Sequence, residues 1–357
     1  MSSVTSRESV LAWIAGVIAV AVVGVGVALV VRSRSDQAPA TTTTTSTTAA
    51  PTATAPLTGL PIPTANDRPA LGVKIDLSPG VNSFAGLEQA DMVYELLVEG
   101  DITRAMALFQ SQDSSKVGPV RSLRASDFQL VANLGDPIVA FSGGDKLTLQ
   151  AAKLAPFVPY DPDSKNGDEV FTRDRSLRAP HNLFLSTNGV RDNTSGAGNV
   201  QAPFTFATPN EPAPVGLPAA GVRIRFTGFV DAAFTWDDAR HQWLRWVNRT
   251  KQVGADGIQL GVDNVLVLDS TYGTPPWDRN QPMLDPTGRG SGLLLSGGRA
   301  TAITWSRPEP QMPFTLIGPA GTAIGLPPGR TWVAFPKAGV TVTMDAAAVA
   351  ALPRAAG

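Results

Sequence analysis

Between Asp91 and Arg124 the chain reads DMVYELLVEGDITRAMALFQSQDSSKVGPVRSLR, with isolated charges set into apolar runs. A surface loop would be less apolar and an ordinary core less charged, so this stretch reads as the floor of a site. Glu95 and Glu99 are four apart. On a strand, even spacing puts both carboxylates on one face. Such a pair can serve acid/base chemistry or hold a cation; a ladder satisfied by arginines is the simpler reading. Arg104, Arg121 and Arg124 offer planar forks that match phosphate or carboxylate. Arg121 and Arg124 also precede a helix expected from about Ser126, where cations oppose the helix dipole unless they are paired or an anion visits. Asp76 ends the strand ALGVKID. Arg173 and the APHN residues His181 and Asn182 lie in a second charged stretch, FTRDRSLRAPHNLFLS. His181 can act as a general base or as a backbone-bonded structural histidine. The candidate ligand-binding set is Asp76, Glu95, Glu99, Arg104, Arg121, Arg124, Arg173, His181 and Asn182. Internal pairing of the arginines with the acids is the competing reading. No catalytic residue is assigned, and no metal or cofactor is expected.

The elements that must position these residues follow from pattern. DMVYELLVEG and ITRAMALFQ are apolar runs joined at Gly100-Asp101, a hairpin signal. ASDFQLVANLG has a helical face of Phe128, Val131 and Leu134, with Gly135 as a stop. PIVAFSGGDKLTLQAAKLA reads as a strand, a Gly143-Gly144 turn and a helix capped by Asp145. The turn also brings backbone N–H groups near any ligand. DPDSKNGDE resembles a calcium loop, but Lys165 occupies its fifth place. From Val222 onward the pattern alternates, with short strands and Gly turns. Trp236, Trp243 and Trp246 read as core. The fold class is therefore α+β. A sheet-rich motif domain with a few helices (57–205) precedes an antiparallel β domain (206–345) and an Ala-rich tail (346–357).

Composition narrows the function classes. The 357 residues carry a net charge of -1 and 17% charged residues, which gives no general pull toward nucleic acid. Arginine outnumbers lysine 22 to 7. The sequence contains no cysteine, excluding disulfides, thiolate chemistry and a lipidated N-terminal cysteine. Val10 to Val31 is an uncharged run of 22 residues, long enough as a helix to cross a ~30 Å hydrocarbon core. It is longer than the ~7–15-residue apolar region of a cleaved signal peptide, although an A-x-A pattern at Ala38–Ala40 leaves cleavage open. Residues 32–56, including TTTTTSTT, read as a solvated spacer of the kind found outside membranes. The positive-inside count, Arg7 against Arg32 and Arg34, points weakly the other way; the spacer decides the expected topology. Residues 1–9 form a cytoplasmic tail, 10–31 a single transmembrane anchor, and the bulk is extracytoplasmic at the cell membrane.

LTGLP, RPALGVKID, ADMVYELLVEGDITRAMALFQ, KVGPVRSLR, FTRDRSLRAPHNLFLS, DNVLVLD and PGRTWVAFP, in that order, resemble the YerB-like lipoprotein family, extracytoplasmic domains of unknown function in Gram-positive bacteria. The resemblance runs from Leu57 to Pro336 and implies one two-part fold. It departs at the N-terminus, where a lipobox cysteine is replaced by the apolar run. It implies no catalytic residues. The expected role is a membrane-anchored binding or scaffold protein for envelope assembly, with an Arg/Glu-lined anion pocket. The expected partner is an envelope polymer, precursor or protein. The alternative is a phosphotransferase-like enzyme acting on a polyprenyl-pyrophosphate-linked envelope precursor, because the order of motifs is loosely similar to LytR-CpsA-Psr phosphotransferases. In that case Arg104, Arg121 and Arg124 would grip the pyrophosphate, Asp76 would help with Mg²⁺ or an acceptor hydroxyl, and a long apolar tunnel would be needed.

Overall fold

The computed structural model describes residues 53–353 except 82, 209–210 and 212–214. The expected membrane anchor at 10–31 and most of the spacer lie outside the described residues. Among the described residues no helix is long and apolar enough to cross a membrane.

The N-terminal part contributes β1 (Leu71–Asp76), β2 (Met92–Val98), β3 (Ile102–Phe109), α1 (Ala125–Val131), β4 (Ile138–Ala140), α2 (Lys146–Ala152) and β5 (Val158–Tyr160). The C-terminal part contributes β6 (Gly221–Arg225), β7 (Asp231–Asp237), β8 (Gln242–Val247), β9 (Asn264–Leu268), β10 (Gly288–Ser296) and β11 (Arg299–Arg307). It continues with β12 (Thr315–Ile317), β13 (Ala323–Ile324), β14 (Thr331–Phe335) and β15 (Thr341–Met344). The sequence signals for these elements are local. Gly100 and Asp101 both have positive φ in the β2–β3 turn, as a tight hairpin demands. Asp145 accepts the Leu147 and Thr148 N–H groups at 3.1 and 2.9 Å and so caps α2.

The two parts share one twelve-stranded mixed sheet, in the order β13-β12-β11-β10-β9-β14-β2-β3-β1-β4-β5, with Leu217–Pro218 added on β11. A wholly antiparallel C-terminal domain is therefore not what forms. β14 pairs parallel with both β9 and β2, carrying the sheet across the boundary between the parts. The reason is legible in composition: NVLVL, TWVAF and MVYELLV are buried on both faces, and such strands are near-continuous apolar runs without alternation. The antiparallel expectation is met in the second sheet of six strands, where β8, β7, β6 and β15 are neighbours.

The large sheet is the middle layer. Val73, Val93, Ala107, Val267 and Trp332 face one core, completed by Val222, Ile224, Phe234 and Trp243 of the six-stranded sheet. Met92, Tyr94, Met106, Leu266 and Val333 face the other, completed by Phe128 and Val131 of α1 and by Ala151 of α2. The C-terminal segment is not loose throughout. Ala346–Ala350 is a short helix whose Ala348 N–H is capped by Asp345 at 2.8 Å, and Leu352 packs with Ala233, Trp246 and Met344.

Candidate functional site

β1 and β2 both pair antiparallel with β3, and β4 pairs parallel with β1. Their carboxyl ends therefore lie at one edge of the sheet, the edge where ligands of open sheets collect. Asp76 ends β1, Glu99 follows β2, and Arg104, opposite Asp76 in register, lies near the start of β3. The segment GPVRSLR is stitched into this edge: the Arg121 N–H donates to Lys74 O and the Ser142 N–H to Arg121 O, both at 2.9 Å.

Two polar clusters result. In the first, the Arg124 guanidinium forks onto Glu99, with Nε to Oε2 at 2.7 Å and Nη2 to Oε1. Arg104 Nη2 reaches the same carboxylate at 3.6 Å. Arg104 is only 4% exposed, and its Nε has no hydrogen-bond partner. Burial first, and then the neighbouring Arg124 charge, push its pKa down to about 10, so it stays cationic at neutral pH. Beneath lies Lys74, fully buried, whose Nζ is 2.6 Å from Asp127. Burial lowers its pKa against the pull of Asp127. Asp127 also accepts the Arg124 N–H at 2.8 Å, so one carboxylate both neutralises Lys74 and caps α1.

In the second cluster, buried Asp76 accepts the Ser78 N–H at 3.0 Å and Ser78 Oγ–H at 2.5 Å. It meets His181 Nδ1 at 2.6 Å, and Arg121 Nε approaches to 3.4 Å. Burial alone would raise this carboxyl. The Ser78 and His181 hydrogen bonds and the Arg121 charge outweigh it, and the pKa lies below the ordinary value. An ionised carboxylate only accepts, so His181 Nδ1 carries a proton, and in the neutral imidazole Nε2 is then the acceptor.

His181 lines an open cleft of about 860 Å³ between the Pro79–Val81 and Asp174–His181 loops, with Phe184 in one wall and Ala255 of the C-terminal part at the rim. Lys116 and Arg178 line it too. Lys116 Nζ is 2.8 Å from Asp174 and 4.5 Å from the centre of the Phe184 ring. The loop carrying His181 is closed from within: Asn182 Nδ2 donates to Asp174 O and Leu177 O at 3.2 and 3.3 Å, and its Oδ1 accepts from Arg173 Nη1 at 3.0 Å.

The nine predicted residues therefore separate. Asp76, Arg121 and His181 meet beside the cleft. Glu99, Arg104 and Arg124 meet at the sheet edge next to it, outside its lining. Arg173 and Asn182 brace the His181 loop. Glu95 is apart from all of these, and the expected shared face with Glu99 does not form. β2 ends at Val98, so strand alternation stops before Glu99, which sits in the turn. Glu95 is sealed between the sheets against Arg245, Nη2 to Oε1 at 2.8 Å. Its other partners are Thr103 Oγ1 and Trp332 Nε1, both at 2.9 Å. Sequence reasoning missed Arg245, Lys74, Ser78 and Lys116. Arg245 had a signal: in QWLRWV it shares a strand face with Trp243 and Val247, both buried.

The Glu99 cluster carries a pH signature. Burial acts to raise the Glu99 pKa, but hydrogen bonds and charge from Arg124 and Arg104 overcome it and hold it at about 2 against an ordinary 4.5. A carboxylate with a depressed native pKa stabilises the fold fully above its unfolded value, and the contribution disappears as pH falls through the native value. Melting temperature should therefore fall on acidification from 4.5 toward about 2. Glu99→Gln should lower it at neutral pH and flatten that acid limb. The effect is modest, because the side chain is 37% exposed and solvent screens the pair. Parallel melting curves for the two proteins check this; identical acid limbs would exclude Glu99 as the source.

Comparison with known proteins places this architecture. A family model described as "Protein of unknown function (DUF3048) N-terminal domain" matches residues 57–200, and its C-terminal counterpart matches 222–333. The chain is 26% identical over 311 residues to the protein named "Putative lipoprotein YerB" of Bacillus subtilis (strain 168), covering 83% of this chain and 88% of that one. The crystal structure of YerB from Bacillus subtilis superposes with a TM-score of 0.70 at 22% identity, over 82% of this chain and all of the other. With both halves matched in order and the shared fold extending across them, the chain belongs to the DUF3048 family, that of the YerB-like proteins.

Proposed function

We propose that this protein is a membrane-tethered extracytoplasmic binding module that holds a phosphate-bearing envelope polymer or precursor in the cleft beside His181. The observation that carries this reading is the cleft itself: Arg178, Lys116 with its partner Asp174, and an open histidine edge face about 860 Å³ of accessible space. Apolar walls such as Phe184 and Leu177 complement a ligand with an uncharged body. The arginines at the adjoining edge add to the local positive potential. The location rests on the apolar run at 10–31, the uncharged spacer after it, and the lipoprotein designation of the relative from Bacillus subtilis.

A phosphotransferase on a polyprenyl-pyrophosphate is supported less well. Arg104 and Arg124, which would grip the pyrophosphate, lie outside the cleft lining, and the cleft opens at the surface where a polyprenyl tail would need a deep tunnel. The binding reading is tested with full-length protein in detergent titrated with poly(glycerol phosphate). Binding should saturate, weaken steeply with salt, and drop at least about tenfold in Lys116→Ala/Arg178→Ala, the loss of ~1.4 kcal/mol expected for charge-assisted contacts. The melting temperature should fall only slightly, because the Lys116–Asp174 pair is largely exposed. Protease applied to intact, wall-stripped cells should release a soluble fragment that still binds. Absence of saturable binding, or a double variant that binds as the wild type does, would exclude the cleft.

A further inference from the structure

We infer that His181 and Asp76 form a proton-accepting pair that hydrolyses a phosphate diester held in the cleft. The inference rests on reading the cleft as an anion site, and it adds a reaction to that reading. Four observations carry it. First, Asp76 is fully buried and spends its hydrogen-bonding capacity on orienting neighbours, with His181 Nδ1 at 2.6 Å. Second, in the neutral ring this contact puts the proton on Nδ1 and makes Nε2 the acceptor, and the ring lines the cleft and is 38% exposed. Third, Arg121 braces both partners: its Nε lies 3.4 Å from Asp76, while its Nη1 donates at 3.2 Å to the carbonyl of Pro180, the residue before His181. The imidazole is thus held from its side chain and from its own backbone. Fourth, the charged groups that line the cleft around it are Lys116, Arg178 and Asp174. Asp174 is matched by Lys116, and Arg178 leaves the lining with a net positive charge, which suits an anionic substrate and the added negative charge of its transition state.

The step balances without a co-reactant other than water. Water oxygen attacks phosphorus and forms the new P–O bond as His181 Nε2 takes the water proton. The P–O bond to the leaving alcohol breaks, and its oxygen takes that proton back from Nε2. The products are a phosphate monoester and an alcohol, and His181 returns to its starting tautomer. Asp76 acts as a positioning residue that stabilises the transient imidazolium, as the buried acid does in other acid–histidine pairs.

The probe is bis(4-nitrophenyl) phosphate, with release of 4-nitrophenol measured on the full chain. Wild type should turn it over. His181→Ala should reduce kcat ~100-fold or more. It should recover part of the rate with added imidazole. Asp76→Asn should lower kcat more than it changes KM. Because Asp76 is buried, imidazole rescue of His181→Ala is the deciding measurement should that variant fail to fold. Wild type that binds poly(glycerol phosphate) but does not turn over the diester overturns the dyad and leaves the binding module standing. Turnover unchanged in His181→Ala overturns it equally. No binding of either probe removes both readings.

Discussion

Arg245→Ala will lower the unfolding free energy by ~3–5 kcal/mol, the range for removing one partner of a buried ion pair. Arg245 and Glu95 are almost wholly inaccessible, and their contact is the polar joint between the two sheets. The guanidinium lies over the rings of Trp332 and Phe234, at 4.1 and 5.1 Å from their centres, and its Nε donates to Gln252 at 2.5 Å. Deleting it leaves the Glu95 carboxylate with Thr103 and Trp332 but without a counter-charge, and opens a void between sheets. Arg245→Lys should recover little, since an ammonium cannot stack across two rings while meeting both Glu95 and Gln252. Arg245→Met combined with Glu95→Gln should recover most of the loss, because no charge then remains buried at this joint. Urea unfolding followed by tryptophan fluorescence measures all three. A single-variant loss below ~1 kcal/mol would mean that the interior is wetter than the packing implies.

A larger effect is expected from cutting the chain. A fragment ending at Gln201 keeps β1 to β5 but loses β14, which pairs with β2 along five residues from Met92 to Leu96. All seven residues of β2 are buried in the intact protein. The fragment would present them as a long, flat, apolar edge, the kind that associates with other chains. We expect most of it in the insoluble fraction, with the soluble remainder lacking a cooperative melting transition. Supplying residues 202–357 in trans should restore solubility. A soluble, cooperative fragment that melts with the full-length protein would show that the shared sheet contributes nothing to the N-terminal half.

What could be seen in the sequence follows the range over which each signal acts. The β2–β3 hairpin and the Asp145 cap are set within a few residues, and both form as the pattern indicates. The arginines of GPVRSLR were visible as unusual charges, but their sorting was not. Arg124 pairs with Glu99 and Arg121 with Asp76 because the loop is threaded between β1 and the segment after β4, a tertiary fact. Even spacing misplaced Glu95 beside Glu99, because periodicity says nothing about where a strand stops. The joint between halves was least visible. Parallel partners far apart in sequence leave no local mark, and only the succession of family-like motifs through Pro336 hinted that the halves form one unit.

The β14–β2 pairing also sets a schedule. Glu95 and Trp332, in hydrogen-bond contact in the finished protein, are separated by 237 positions. A chain made at ~5–20 residues per second would hold its N-terminal half waiting for roughly 10–50 s before the missing strand exists. Through that interval the middle of an otherwise apolar strand carries one negative charge, and an inward-pointing charge on an open edge discourages the wrong partner. Arg245 arrives 150 positions after Glu95, ahead of β14. The carboxylate that ends as a sealed joint would thus begin as the guard of an unfinished sheet.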